Sequence, residues 1–245
     1  MEKIFTKTKI LKNVPFHYCP GCGHSIAHRI IAEVIEEMEL REIIVGIPPA
    51  GCAVLMYNYF DIDMAEAAHG RGCAVATGLK RVRPDLVVFT YQGDGDMAAI
   101  GTSETLHAAN RGERISVFFI NNTVYGMTGG QMAPTTLLGQ KTSTTPFGRS
   151  ARDAGYPIKI SEIIAQLPGV AYVERVAVNN PKNIIRTKKA IKKAFEVQIK
   201  DLGFSLVEIL SQCPTNWRMT PYAACKWIDE ELTKFFPLGV LKNVS

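Results

Sequence analysis

No run of apolar residues in this chain approaches the length of a membrane span, which argues against a spanning helix. Met1, Glu2 and Lys3 lead into polar residues rather than into a signal-peptide core, so a cytoplasmic protein is expected. There is no basic cluster interleaved with aromatics. The 28 Lys and Arg against 23 Asp and Glu leave a formal charge of +5, a solubilising excess that does not mark a nucleic-acid binder. Internal repeats and low-complexity stretches are absent too, and with 245 residues of which 47% are hydrophobic the chain can bury a full core. Six cysteines in a chain expected in the cytosol argue against a disulfide framework and leave ligands, reactive thiols or plain packing. Only one Cys-x-x-Cys occurs, so a four-ligand metal centre would need two donors from elsewhere in the chain.

What is present is a βαβ pattern with chemistry at both strand ends. Residues 86–92 and 115–120 are apolar, β-branched runs that read as buried strands of a parallel sheet, and residues 97–110 between them read as a helix. The first run ends in Gly93-Asp94-Gly95-Asp96 and the second in Asn121-Asn122, with Asp94 and Asn122 28 residues apart. Ligands of open α/β sheets bind at the carboxyl ends of such strands. The glycines let backbone N–H groups approach an anion, and the Asp94 carboxylate and Asn122 amide oxygen are hard donors suited to Mg²⁺ carried by a diphosphate. A Gly-Asp-Gly tripeptide alone is an ordinary turn; the second oxygen donor at the next strand end, followed by the Val124 carbonyl, is what gives it weight. Asp96 is expected to cap the following helix or face a partner rather than to touch metal.

Cys19 and Cys22 lie in Tyr18-Cys19-Pro20-Gly21-Cys22-Gly23, where Pro and Gly bend the chain into a knuckle that aims two thiolates at one point. Half of a zinc site, a redox dithiol and half of an iron–sulfur site are all open readings. The best further ligands are Cys52, in Pro48-Pro49-Ala50-Gly51-Cys52, and Cys213, in Ser211-Gln212-Cys213-Pro214-Thr215, because each follows a strand-like run (43–45 and 206–210) and sits in a loop. Cys73, placed in an apolar helix over 64–82, and Cys225, in a helix beginning near Pro221, read as small buried hydrophobes.

Residues 23–38 form a core-facing helix on the spacing of Ile26, Ile30, Val34 and Met38, and its His24 and His28 read as polar surface residues. Residues 123–152 are rich in Gly and Thr, follow neither period and are long for a connection; they are expected to fold over the ligand and contact a partner. Residues 181–200 read as an amphipathic helix with Ile184, Ile191, Ala194 and Phe195 inward and Lys188, Lys189, Lys192 and Lys193 outward. The tail from Trp217 onward ends in Phe235, Phe236, Leu238, Val240 and Leu241, more apolar than an exposed segment tolerates, and packing on a neighbouring subunit is expected.

The clamp residues resemble the diphosphate-binding module of thiamine-dependent enzymes, in which Asp94, Asn122 and the Val124 carbonyl match the metal ligands. Cys-Pro-Gly-Cys-Gly near the start, Gly51-Cys52, His69-Gly70-Arg71, Gly93-Asp94-Gly95-Asp96, the run 122–131 and a late Cys213-Pro214-Thr215 occur in order, and over Pro15 to about Trp217 the chain resembles the β subunit of 2-oxoacid:ferredoxin oxidoreductases. The resemblance implies a doubly wound, mostly parallel α/β sheet of the thiamine diphosphate-binding fold over 1–215, with a C-terminal extension over 216–245 that packs on the domain or on a partner. It implies that Cys19, Cys22, Cys52 and Cys213 hold a [4Fe–4S] cluster beside thiamine diphosphate and Mg²⁺, while Cys73 and Cys225 match no ligand. It further implies cofactor contacts from Ala50, Gly51, Cys52, Ala53 and His69, from Gly93 to Asp96, and from Gly126, Met127 and Thr128 on the substrate side, with Cys52 coupling the two centres.

The implied activity is oxidative decarboxylation of a 2-oxo acid with coenzyme A, electrons passing through the cluster to ferredoxin. The chain has room for only one α/β domain of this kind, so the Glu that activates thiamine is expected on an α subunit with the pyrimidine-binding domain. A γ subunit and a ferredoxin-like δ subunit are further partners that the resemblance admits. The substrate reading leans toward branched-chain 2-oxo acids and 2-oxoglutarate. The diphosphate half of a non-redox thiamine decarboxylase would have no use for four dispersed cysteines, and a zinc-stabilised interaction subunit would leave Asp94 and Asn122 unexplained.

Overall fold

The computed structural model describes residues 6–244; the leader reading made on Met1, Glu2 and Lys3 lies outside the described residues. Its centre is a seven-stranded sheet in the order β2-β1-β3-β4-β8-β7-β9. The strands are β1 (Ile44–Ile47), β2 (Asp63–Met64), β3 (Val87–Gly93), β4 (Ser116–Asn121), β7 (Val170–Ala177), β8 (Phe204–Leu210) and β9 (Gly239–Asn243), and all pairs are parallel except β7 with β9. A separate antiparallel ribbon joins β5 (Val124–Tyr125) to β6 (Gln131–Met132).

The alternation of side chains along a strand, with both faces covered, explains why β3 and β4 are mostly apolar and buried along nearly their whole length. Phe89, Tyr91, Phe118 and Ile120 point to one face, where α1 (His24–Glu37) and α6 (Pro181–Ile199) supply Ile31, Ile35, Ile191 and Phe195. Val88, Val117 and Phe119 point to the other, beneath α2 (Gly72–Val82), α3 (Thr102–Asn110) and, after the one-turn helix α4 (Ala151–Ala154), α5 (Ile160–Ala165). Asn180 caps α6 by accepting from the Asn183 N–H at 2.9 Å, and Pro181 stands at its first turn. The lysine face of α6 is less free than its pattern suggests, since Lys188 bridges Glu33 at 2.9 Å and Glu37 at 2.6 Å on α1.

Three expectations are corrected. The helix placed over 64–82 begins only at Gly72; Asp63–Met64 is the edge strand β2, and Gly70, at φ 79°, sits against Gly101 N, where a Cβ would come within 2.9 Å. The helix over 97–110 opens with a π-helical turn, Asp96–Ile100, before α3. The apolar tail packs on its own chain. After the short helices α7 (Pro214–Trp217), α8 (Pro221–Trp227) and α9 (Thr233–Phe235), Phe236 is buried and β9 adds an antiparallel edge beside β7. The inner strand β7, which the sequence reading did not assign, carries the fully buried Arg175.

Register fixes the functional edge. Gly93 pairs with Ile120, and Asn121 with Leu210, so Asp94, Asn122 and the segment carrying Cys213 leave the sheet at one end. No described helix is long and apolar enough to cross a membrane.

Candidate functional site

A cleft at this sheet edge is walled by three loops: Ala50 to Ala53 after β1, Gly93 to Asp96 after β3, and Asn122 to Thr128 after β4. Asp94 and Asn122 are both buried, and they are already joined: the Asn122 N–H donates to Asp94 Oδ1 at 3.1 Å, and the Val124 N–H donates to Asn122 Oδ1 at 3.3 Å. Thr135 Oγ donates to the other carboxylate oxygen, Asp94 Oδ2. Burial pushes the Asp94 carboxyl up to about 7 against the hydrogen bonds that favour its charged form. A buried carboxylate with that cost is one a cation would relieve. The bend between Asn122 and Val124 is made by Thr123 at φ 61°, a left-handed conformation that a β-branched residue adopts only when held. It is held by the Gln140 Nε2 bond to Thr123 Oγ at 2.7 Å and by the Thr136 hydroxyl on the Thr123 carbonyl.

The glycine positions fit an anion beside this clamp. Gly51, at φ 136°, and Gly93 both face open space, where a Cβ would meet no atom within 4 Å. His69 Nδ1 donates to the Ala50 carbonyl at 2.7 Å, so the ring is fixed at the cleft rim. Asp96 lines the same cleft, but it neither caps the following turn nor faces outward. Its buried carboxylate accepts from the Gly70 N–H and from Gln92 Nε2, tying the 69–70 loop to β3. Met127 and Thr128 stand at the exposed rim.

The segment 123–152 is ordered around Arg149. Its buried guanidinium donates to the carbonyls of Pro134 (2.9 Å), Thr136 (2.7 Å), Ala154 (3.0 Å) and Tyr156 (2.9 Å). The Phe147 ring, at 98% exposure, is left pointing into solvent.

Four cysteines meet beside the cleft. The Cys22 N–H donates to the Cys19 carbonyl at 3.0 Å around Gly21, at φ 76°, which makes the knuckle. Burial pushes the Cys22 and Cys52 thiols up to about 12 and raises that of Cys213; neighbouring thiols add to all three, Cys19 among them. Among the described residues no three His, Cys, Asp or Glu are gathered tightly enough to hold one metal ion. An all-sulfur set of four is the donor chemistry of either a zinc ion or a four-iron cube. Cys52 belongs to both groups: it lines the cleft, would touch a Cβ on Gly126 at 3.2 Å, and feels the charge of Asp94 as well as of Cys213 and Cys19. Cys73 lies elsewhere, fully buried with Sγ on Gln92 Oε1 at 3.2 Å, and Cys225 is half-buried rather than buried.

His24 and His28 are not surface residues. Both are buried, His28 completely. His24 Nδ1 is 2.8 Å from Tyr91 Oη, its ring stacks on Tyr18 with centroids 4.9 Å apart, and it forms part of the cleft wall. Burial drives its pKa down to about 3, with His17 adding to the effect, so the ring is neutral. The i, i+4 spacing is equally that of a surface pair; only the aromatic Tyr18 beside it hinted at burial. Thr135, Asn216 and Trp217 were missed as well, and no local motif marks them.

The family description "Thiamine pyrophosphate enzyme, C-terminal TPP binding domain" matches residues 50–209. The chain is 52% identical over 229 residues to ketoisovalerate oxidoreductase subunit VorA of Methanothermobacter thermautotrophicus, covering 94% of this chain and 48% of that protein. To 2-oxoglutarate synthase subunit KorB of Archaeoglobus fulgidus it is 34% identical over 230 residues, covering 94% of this chain and 80% of the relative. This chain belongs to the family of thiamine-binding subunits of 2-oxoacid:ferredoxin oxidoreductases. The fold agrees: 2-oxoglutarate:ferredoxin oxidoreductase from Magnetococcus marinus, solved with 2-oxoglutarate, coenzyme A and succinyl-CoA bound, superposes with TM-score 0.81 at 27% identity, over 99% of this chain and 86% of that one. The expected fold class, a mostly parallel α/β sheet, is therefore borne out by both the sheet and the neighbour. The chain spans about half the length of the VorA relative.

Proposed function

We propose that this chain is the β subunit of a 2-oxoacid:ferredoxin oxidoreductase acting in the cytoplasm on a branched-chain 2-oxo acid of the ketoisovalerate type, with coenzyme A as acyl acceptor and ferredoxin as electron acceptor. The observation that carries the reading is Cys52, a thiol in the wall of the clamp cleft that is also a member of the four-cysteine set. The VorA relative supports the branched-chain substrate, and the coenzyme A bound in the Magnetococcus enzyme supports the acceptor.

In this reading Asp94, the Asn122 amide oxygen and the Val124 carbonyl hold Mg²⁺ on thiamine diphosphate, while Gly51, Ala53 and Gly93 to Gly95 receive the diphosphate. When bound, thiamine diphosphate would supply the nucleophilic carbon and the electron sink that decarboxylation of a 2-oxo acid needs. Cys19, Cys22, Cys52 and Cys213 would hold the [4Fe–4S] cluster, which would supply an electron exit beside the cleft. The residues of this chain contribute orientation and dryness: Thr135 and the Asn122 N–H aim the Asp94 carboxylate, Arg149 fixes the covering loop, and neutral His24 seals the wall toward Cys22.

Protein prepared anaerobically with iron and sulfide is expected to contain iron rather than zinc and to show the broad visible absorbance of a cluster. Cys52→Ala should lose that absorbance; a variant spectrum identical to the parent would sink the ligand assignment. The activating Glu is assigned to an α subunit with a pyrimidine-binding domain, and the exposed Phe147 suits a subunit contact. The chain alone should show no 2-oxo acid oxidation even with both cofactors loaded, and sustained turnover without a partner would refute the shared-site reading.

A further inference from the structure

The short helix α7 follows Cys213 without a gap, and its side chains reach both halves of the site. Asn216 commits both hydrogens of its amide: Nδ2 donates to the Gly126 carbonyl at 3.0 Å and to Cys213 Sγ at 3.3 Å. The Asn216 backbone N–H is directed at the same sulfur. The amide is enclosed on its other side by Gly130, at φ 78°, where a Cβ would stand 2.9 Å from Asn216 Oδ1. The next residue, Trp217, donates from Nε1 to the Asn122 carbonyl at 2.9 Å and rests on Trp227 with ring centroids 4.6 Å apart. One helical turn thus grips a sulfur of the four-cysteine set, the loop of the cleft at Gly126, and the backbone of the clamp residue Asn122.

We propose that Asn216 is a positioning residue that acts on both centres at once, raising the electron affinity of the cluster through its hydrogen bonds to Cys213 and fixing the Gly126 loop against the thiamine diphosphate cleft. The proposal rests on the reading of Cys213 as a cluster ligand. An N–H donor withdraws electron density from a thiolate and stabilises the reduced cluster, so hydrogen bonds to ligand sulfur move the potential upward. Because the same amide holds Gly126, a shift of the cleft loop there is felt at the sulfur, and one side chain links the two sites. The indole N–H of Trp217 bonds the clamp backbone and not the sulfur, while the Trp217 backbone N–H, which donates to the Cys213 carbonyl at 3.0 Å, is kept in a side-chain variant, and this separates the two effects.

The test uses the full chain reconstituted anaerobically with iron and sulfide, reading the cluster midpoint potential by EPR-monitored titration and thiamine diphosphate affinity in the presence of Mg²⁺. Asn216→Leu and the near-isosteric Asn216→Asp are expected to make the potential more negative and to weaken thiamine diphosphate binding several-fold. Trp217→Phe is expected to weaken thiamine diphosphate binding with the potential unmoved. If Asn216→Leu fails to fold, Asn216→Asp carries the comparison, since it preserves the volume. An unchanged potential in an Asn216 variant that retains full iron content and native circular dichroism overturns the proposal, as does an equal shift in Trp217→Phe, which would mark general loosening. An unsubstituted chain that takes up no iron overturns the cluster reading itself, and is told apart because the parent then has no potential to measure.

Discussion

Asp94→Ala is expected to lower the affinity for Mg²⁺ and thiamine diphosphate by more than about 100-fold while leaving the fold intact. Loss of a residue that only orients a metal ligand typically costs about 10–100-fold, and Asp94 is assigned as the ligand itself. Thr135→Val, which removes the hydroxyl from Asp94 Oδ2, supplies that milder case and should fall in the 10–100-fold range. The carboxyl also sets a pH dependence. Burial holds it at about 7, and the metal takes only the carboxylate, so below about pH 7 binding must displace a proton and affinity falls as pH falls. Above that pH the dependence flattens. For the metal-free fold the sign is opposite: a carboxyl whose value is raised on folding favours the folded state in acid, and that contribution is lost as pH rises through about 7. Titration calorimetry in two buffers of different ionisation heat measures the proton release directly. Binding by Asp94→Ala equal to that of the parent would remove Asp94 from the clamp.

The strand ends that build this clamp were legible because they obey local rules. β3 and β4 are mostly apolar since both faces of the sheet are covered, and Gly93-Asp94-Gly95 and Asn121-Asn122 end them where the register puts both at one edge. Helices α1 and α6 announce themselves by period, and Asn180-Pro181 marks a helix start by capping chemistry. Cys52 and Cys213 could be nominated because each follows a strand-like run. The misses share a cause as well. β7 reads poorly as an inner strand because Glu174 and Arg175 interrupt its apolar pattern, and the charge of Arg175 is met by Glu162 and Glu208, which lie elsewhere in the sequence. His24 and His28 keep a surface-like spacing but are enclosed, besides the neighbouring Tyr18, by Phe60 and Tyr91, which arrive from other parts of the chain. Asn216 and Trp217 matter through bonds to residues 90 and 95 positions away. Gly70 and Thr123 show the same limit in backbone form, since a left-handed bend is chosen by what holds it and not by its own residue type alone.

The same buried network behind the clamp carries the largest expected stability effect. Arg175, at 0% exposure, donates from Nε to Glu208 Oε2 at 2.8 Å and from Nη2 to Glu162 Oε2 at 2.6 Å, with its guanidinium 5.2 Å from the Phe236 ring centre. Glu208 in turn accepts from Asn121 Nδ2 at 2.7 Å and from Ser161 Oγ at 2.5 Å, so the ion pair stands directly beneath the strand end that presents Asn122. Removing one partner of a buried pair leaves the other charged and uncompensated, which costs about 3–5 kcal/mol. Arg175→Met is therefore expected to lower the free energy of unfolding by that amount, read as a lower urea midpoint with the slope unchanged, a large part of the stability of an ordinary domain. Replacing both partners, Arg175→Met with Glu208→Leu, should recover much of the loss because no lone charge remains in the core, although Asn121 and Ser161 then lose an acceptor. The pH dependence has a defined sign. Burial pushes the Glu162 carboxyl up, but the Arg175 bond and charge outweigh it and hold the carboxyl below its ordinary value, so its contribution is full at neutral pH and fades as pH falls through the folded value. The gap between parent and Arg175→Met should accordingly narrow in acid. A cost below about 1 kcal/mol for Arg175→Met, the range of an exposed pair, would mean that the pair is hydrated and does not support the clamp.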